Sequence, residues 1–183
     1  AEKLKRSYMK QYIIVIILTL CLASCGQHSK HWETLTQVES FMEERPDSAL
    51  AVLQSIEIGD LSSKEEKGKR ALLLSIALDK NEIRQTDFEI LDPAIDYYKE
   101  NGSSTEQMLT LFYQGQIHRI NSQYAQALTC FCDAIKISDA PSNIHTIARV
   151  YDAQGDVYKS LAKWNETIKS KLSAADCFSK LDN

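Results

Sequence analysis

The stretch LFYQGQIHRINSQYAQALTCFCDAI, which starts at Leu111, is matched forty residues later by YDAQGDVYKSLAKWNETIKSKLSAA, which starts at Tyr151. At that offset Gln114 and Gly115 meet Gln154 and Gly155, Ile117 meets Val157, and His118 meets Tyr158. Tyr124 meets Trp164, Leu128 meets Ile168, and Ala134 meets Ala174. A period in this range is the mark of stacked supersecondary units, because a unit this small cannot bury its apolar face alone. The repeat constrains the architecture before any single element is placed.

The units read as helical. The 183 residues include only 6 glycines and 3 prolines, contain no run of alternating β-branched residues, and are rich in Ala, Leu, Lys, Glu and Gln. The prolines fall where a first helical turn tolerates them, at Pro46, Pro93 and Pro141. Pro93 either opens a helix or kinks a longer one that begins near Asp87. Ser62-Ser63-Lys64-Glu65-Glu66 offers two overlapping capping boxes, Ser104-Thr105-Glu106-Gln107 a third, and Asn101-Gly102 a helix stop. Together these signals predict eight helices, over residues 31–44, 46–57, 63–79, 87–100, 104–120, 123–137, 142–161 and 164–180. The short connections make neighbours antiparallel hairpins, so the expected fold class is an all-α helix-hairpin solenoid.

Gly115, Tyr124, Ala127, Phe131 and Ala134 resemble the pattern of a tetratricopeptide repeat, and Gly155, Tyr158, Trp164 and Ala174 resemble it in part. Small residues in that pattern let paired helices approach, and aromatics fill the wedge between successive hairpins. Two features depart from it: the period is forty rather than about 34 residues, and Thr167 and Lys171 replace Ala127 and Phe131. Upstream, FMEERPDSALAVLQSI reads as the second helix of a divergent unit, with Ala49, Leu50, Val52, Leu53 and Ile56 on one face. RALLLSIALDKN and ILDPAIDYYKEN read as the next hairpin, which makes four hairpins in all. The phrase ERPDSALAVL also resembles the start of periplasmic repeat regions in bacterial membrane-linked regulators. Those regions continue with further repeats, whereas Lys180-Leu181-Asp182-Asn183 carries no evident polar capping helix.

The N-terminus tells a separate story. Lys3, Lys5, Arg6 and Lys10 precede an apolar core from Ile13 to Leu22, followed by the small residues Ala23 and Ser24 and then Cys25. That is the layout of an export signal, with a core shorter than the ~20 residues a membrane-spanning helix needs. Leu22-Ala23-Ser24-Cys25 resembles the lipobox of bacterial lipoproteins, which implies lipidation of the Cys25 thiol. Each buried methylene adds about 0.8 kcal/mol, so two or three acyl chains anchor firmly. The expected organisation is a signal peptide over 1–25, a tether over 26–30 and a helical-repeat domain over 31–183. Met9 is then the natural start, and residues 1–8 are an upstream extension or an expression remnant. The expected location is the bacterial cell envelope, anchored by the N-terminal lipid and facing the periplasm. The absence of aspartate after Cys25 favours the outer membrane.

From Cys25 onward, 17 basic side chains stand against 24 acidic ones, a net charge of −7 without a basic stripe, which argues against nucleic acid as a partner. Cys130 and Cys132 sit two apart on one helix and point in different directions, and no nearby His or Cys pair completes a zinc site; with Cys177 they read as packing residues. His118 occupies an aromatic place of the repeat and reads as packing too. His28, His31 and His145 are isolated, and no nucleophile elbow, phosphate-cradling loop or paired-histidine motif is present. The reading is non-enzymatic, with no cofactor and no metal.

What remains is a binding surface. In the repeat family the first helices of successive hairpins line a concave groove, and carrying those positions over assigns Phe112, Gln116, Arg119 and Ile120 in one unit and Arg149, Asp152, Asp156 and Lys159 in the next to partner binding. Phe112 and Ile120 would be apolar anchors, Gln116 a partner for peptide backbone, and Arg119, Arg149 and Lys159 partners for carboxylates. Arg149, Asp152 and Asp156 also suit plain pairing within one helix. The leading expectation is a lipid-anchored scaffold for a protein or peptide partner, in one form the sensory part of a regulator. A glycan- or nutrient-binding lipoprotein beside an outer-membrane transporter is the alternative; it needs exposed aromatic platforms, and of Trp32 and Trp164 the second is assigned to packing. A lipoprotein assisting outer-membrane protein assembly would share the scaffold mechanism.

Overall fold

The computed structural model describes residues 30–138 and 143–181. The signal segment, Cys25, His28, tether residues 26–29, Pro141 and Ser142 lie outside the described residues. Within them the chain forms eight α-helices and no strand: α1 (Lys30–Phe41), α2 (Pro46–Ser55), α3 (Lys64–Lys80), α4 (Asp92–Tyr98), α5 (Ser104–Ile120), α6 (Tyr124–Ile137), α7 (Ile144–Ser160) and α8 (Trp164–Ser179). One 3-10 turn, Ile58–Asp60, lies between α2 and α3. Each helix packs on its neighbour in the chain, and α5 also touches α3 and α7, so α3, α5 and α7 form one layer.

The forty-residue period runs through three units. Helices α3, α5 and α7 are each 17 residues long and begin at positions 64, 104 and 144. Each closes through a left-handed residue, Glu82 (φ 59°), Ser122 (φ 58°) and Ala162 (φ 55°). The residue after each donates its N–H back across the turn, Ile83 to Leu78 O at 2.9 Å, Gln123 to His118 O at 2.8 Å and Lys163 to Tyr158 O at 2.9 Å. Those bonds hold three side-chain-bearing residues in a conformation that costs about 1–2 kcal/mol apiece. In the returning helices Ala94, Ala134 and Ala174 are all buried at the same register position.

Helix starts follow the capping chemistry with one shift. Ser63 caps α3 with Glu66, whose Oε2 also accepts from the Ser62 N–H at 2.8 Å and the Ser62 hydroxyl at 2.7 Å. Helix α5 is capped by Ser103 with Glu106, one residue before the expected Ser104–Gln107 box. Since Glu66 is only 4% exposed and serves donors of both serines, Glu66→Ala leaves orphan polar groups and is expected to cost about 2 kcal/mol in urea-monitored stability.

The expected helix over 87–100 is much shorter in fact. Asp87 accepts the Glu89 N–H on its own carboxylate at 3.1 Å, and tight bonds from Leu91 and Asp92 return to Phe88 O. Pro93 has no N–H with which to continue a helix back to residue 89, so α4 starts at Asp92. Helices α1 and α2 also stop earlier than expected, at Phe41 and Ser55, and α7 begins at Ile144. Gly102, at φ +79°, is the stop anticipated: a Cβ there would stand 2.5 Å from the Tyr98 ring.

Two apolar clusters share α3. Leu73, Leu74, Ala77 and Leu78 pack with Leu35, Val38 and Leu53 of the first hairpin. Ala71 and Leu72 face the other way, into a cluster with Leu91, Met108, Phe112, Ile117, Phe131 and Val157. Helix α3 is therefore buried on two sides, and it carries the first hairpin on the rest of the stack.

Candidate functional site

A cavity of about 650 Å³ opens along the α3–α5–α7 layer. Ser75 and Asp79 of α3, Tyr113, Gln116, Arg119 and Ile120 of α5, and Ser160 of α7 line it, with Glu82, Ile83, Arg84 and Gln85 from the turn after α3. That turn is tied down from both ends. Asn81 Nδ2 donates to Pro46 O at 2.9 Å, and Asn121 Nδ2 donates to Thr86 O at 2.7 Å.

Three helices are locked together beside the cavity by one ionic cluster. The Arg149 guanidinium of α7 bonds the Asp79 carboxylate of α3, seventy residues away, across the face of α5. Tyr113 donates its hydroxyl to the same Asp79 oxygen at 3.3 Å, and Arg149 lies 4.6 Å above the Phe112 ring. Burial pushes the Tyr113 hydroxyl well above its ordinary range; Arg149 opposes and Asp79 adds to that shift, and the phenol stays a neutral donor. Burial alone would weaken the Arg149 charge, but Tyr113 and Asp79 more than offset it and raise its pKa.

Of the residues expected on this face, Gln116, Arg119 and Ile120 are brought together in the cavity. Arg119 Nε donates to Gln116 Oε1 at 2.8 Å, which orients both side chains one turn apart. Arg149 reaches the cavity only through Asp79. Phe112 is not a surface anchor: it is 1% exposed, packed against Tyr113 and Phe131 beneath Arg149. Asp152 and Asp156 turn the other way, toward α8, where Lys171 Nζ bonds them at 2.7 and 2.6 Å. Lys159 is exposed and does not line the cavity. The departure of Lys171 from the repeat pattern explains both aspartates. Its stem crosses Gly155 where Phe131 crosses Gly115, and its ammonium needs carboxylates on α7.

Asp79, Glu82, Arg84 and Tyr113 were not anticipated. The signal that marks the first two is the same offset applied once more upstream, which sets Asp79 and Glu82 against Arg119 and Ser122. Ser75 then takes the place of Gly115 and Gly155; it is 1% exposed, and its hydroxyl has no hydrogen-bond partner among the described residues.

Elsewhere His118 does pack, its ring 5.0 Å from Phe88 and its Nδ1 2.6 Å from Gln123 Oε1. Trp164 does not: it is 60% exposed, because nothing in the described residues stacks on α8 as α7 stacks on α6. Trp32 lies under Lys69 Nζ at 5.1 Å. Cys130, Cys132 and Cys177 are free thiols, and burial, with Asp133 adding, pushes Cys130 up to about 11. Among the described residues no group of three His, Cys, Asp or Glu side chains could hold a metal ion, and no helix is long and apolar enough to cross a membrane. No protein-family model, curated protein or solved structure matches the chain. The chemistry of the cavity therefore has to be read from its own side chains.

That chemistry is mixed. Arg119 and Arg84 present guanidinium groups, Asp79 and Glu82 carboxylates, Gln116 and Gln85 amides, and Ile83 and Ile120 apolar contact. Such a wall can meet both the backbone and the charged side chains of a peptide.

Proposed function

We propose that this chain is a non-enzymatic, lipid-anchored helical-repeat scaffold of the bacterial cell envelope that holds a protein or peptide segment in the cavity along α3, α5 and α7. The observation that carries the reading is the joining of Gln116, Arg119 and Ile120 with Asp79, Glu82 and Arg84 around one space of about 650 Å³. Pockets that bind small molecules are mostly apolar with a few polar groups; this wall is mostly polar with Ile83, Ile117 and Ile120 set in it, which suits a peptide better. The Arg149–Asp79 bridge supports the same reading, since it keeps the three helices at fixed spacing and lowers the ordering cost of binding. Anchoring rests on Leu22-Ala23-Ser24-Cys25 and would place the cavity at the membrane surface.

The test is site-specific photocrosslinking of the full-length lipidated protein in native envelopes. A benzophenone side chain at Gln116 is expected to yield a discrete protein adduct that disappears with Arg119→Glu. The same group at Gln126, exposed on α6 outside the cavity, is expected to yield none. An identical adduct from both positions, or one indifferent to Arg119→Glu, would remove the cavity from the reading. Retention of glycan with no protein adduct would favour nutrient binding instead.

A further inference from the structure

The outer face of α8 is apolar and uncovered. Ile168 is 59% exposed and Leu172 65%, and Trp164, Leu161 and Phe178 are exposed beside them. Forty residues earlier, Tyr124 and Leu128 hold the places of Trp164 and Ile168 on α6, and there they are partly buried against the core that α7 helps to form. The face of α8 is thus the stacking face of the repeat, with no helix on it among the described residues.

We propose that a second copy of this chain covers it, the two α8 helices packing antiparallel about a two-fold axis near residue 170. The argument is self-complementarity. At 100° per residue, Ile168, Leu172 and Ala175 run down the middle of the outer face, with Lys169 and Asp176 along one edge and Trp164 and Phe178 along the other. In an antiparallel pair each edge meets its own copy. Setting Ile168 of one chain against Leu172 of the other then sets Lys169 against Asp176 on one edge and Trp164 against Phe178 on the other. A single register satisfies the apolar, ionic and aromatic matches, and the two-fold supplies each of them twice. Lys180 already bonds Asp176 at 2.6 Å, so the approach of Lys169 makes a three-charge network. Lys171 would meet its own copy at the axis, where Asp152 and Asp156 already neutralise it. One helix face is a small interface, so the dimer forms at micromolar concentration and above.

Sedimentation equilibrium of the full chain in neutral detergent reads this directly. The protein mass is expected to rise with concentration from 20.7 kDa toward twice that value. Leu172→Glu, at an exposed position that leaves the circular dichroism unchanged, is expected to weaken association about a hundredfold by placing two charges in the seam. Lys169→Asp sets like charges opposite and should weaken it several-fold, and adding Asp176→Lys should restore it. A monomer at every concentration overturns the proposal, as would occupation of the face by a different helical chain. A dimer indifferent to Leu172→Glu, as two chains sharing one micelle would be, overturns it too. Loss without rescue by the double exchange overturns the register.

Discussion

Gly115→Ala is expected to destabilise the protein by about 2 kcal/mol, while the equivalent Gly155→Ala leaves stability unchanged or raises it by up to about 1 kcal/mol. The sequence change is the same, and the helices are equivalent members of one repeat. What differs is the neighbour. A Cβ at 115 would stand 2.4 Å from the Phe131 ring, which is fully buried and has nowhere to go. A Cβ at 155 would meet the Lys171 stem at 2.9 Å, and a flexible, partly exposed chain can move aside. Overpacking wins at the first site and the helix propensity of alanine wins at the second. The preceding unit carries its own solution, Ser75 with Leu91 at the places of Gly115 and Phe131. Phe131→Leu alone should cost about 1 kcal/mol, and combined with Gly115→Ala it should cost clearly less than the sum of the two. Chemical denaturation of the four proteins checks this; strict additivity would mean that the ring is not the obstacle.

Arg149→Ala is expected to cost about 2–3 kcal/mol, and Arg149→Met about 1–2 kcal/mol. Both remove the cation from Asp79, but methionine keeps apolar contact over Phe112 where alanine does not. Neither partner is deeply buried, with side-chain exposures of 27% and 38%, so water screens part of the loss and the full penalty of a buried broken pair does not apply. Hydrogen exchange separates this role from generic destabilisation. Protection should fall first at the facing ends of α3 and α7, and much less in the first hairpin, which packs in its own cluster. Equal loss everywhere would mean that the bridge does not hold the layer together. Asp79 lines the cavity, so Asp79→Asn, which keeps a hydrogen-bond acceptor for Tyr113, should perturb binding more than folding.

The all-helical architecture was legible in the chain because it is set locally. Helical periodicity, capping serines, positioned prolines and one glycine stop each act over a few residues, and a forty-residue self-match states how the pieces stack. Where local rules compete, the reading slipped: Asp87 and Pro93 cut α4 to seven residues, and Ser103 rather than Ser104 took the cap. The candidate site was only partly legible. Gln116, Arg119 and Ile120 lie one turn apart on a single helix, so their common exposure follows from helix geometry. Which face of each helix meets a neighbour was decided by tertiary packing alone. Phe112 went inward because Arg149 and Phe131 close over it, and Asp152 and Asp156 turned to α8 because a lysine stands there in place of a phenylalanine. The Arg149–Asp79 contact joins positions seventy residues apart, beyond the reach of any helical or capping rule. Sequence by itself determined the elements and their period, since those depend on near neighbours; the cavity wall and the bare face of α8 depend on which distant side chains arrive opposite, and only the folded stack decides that.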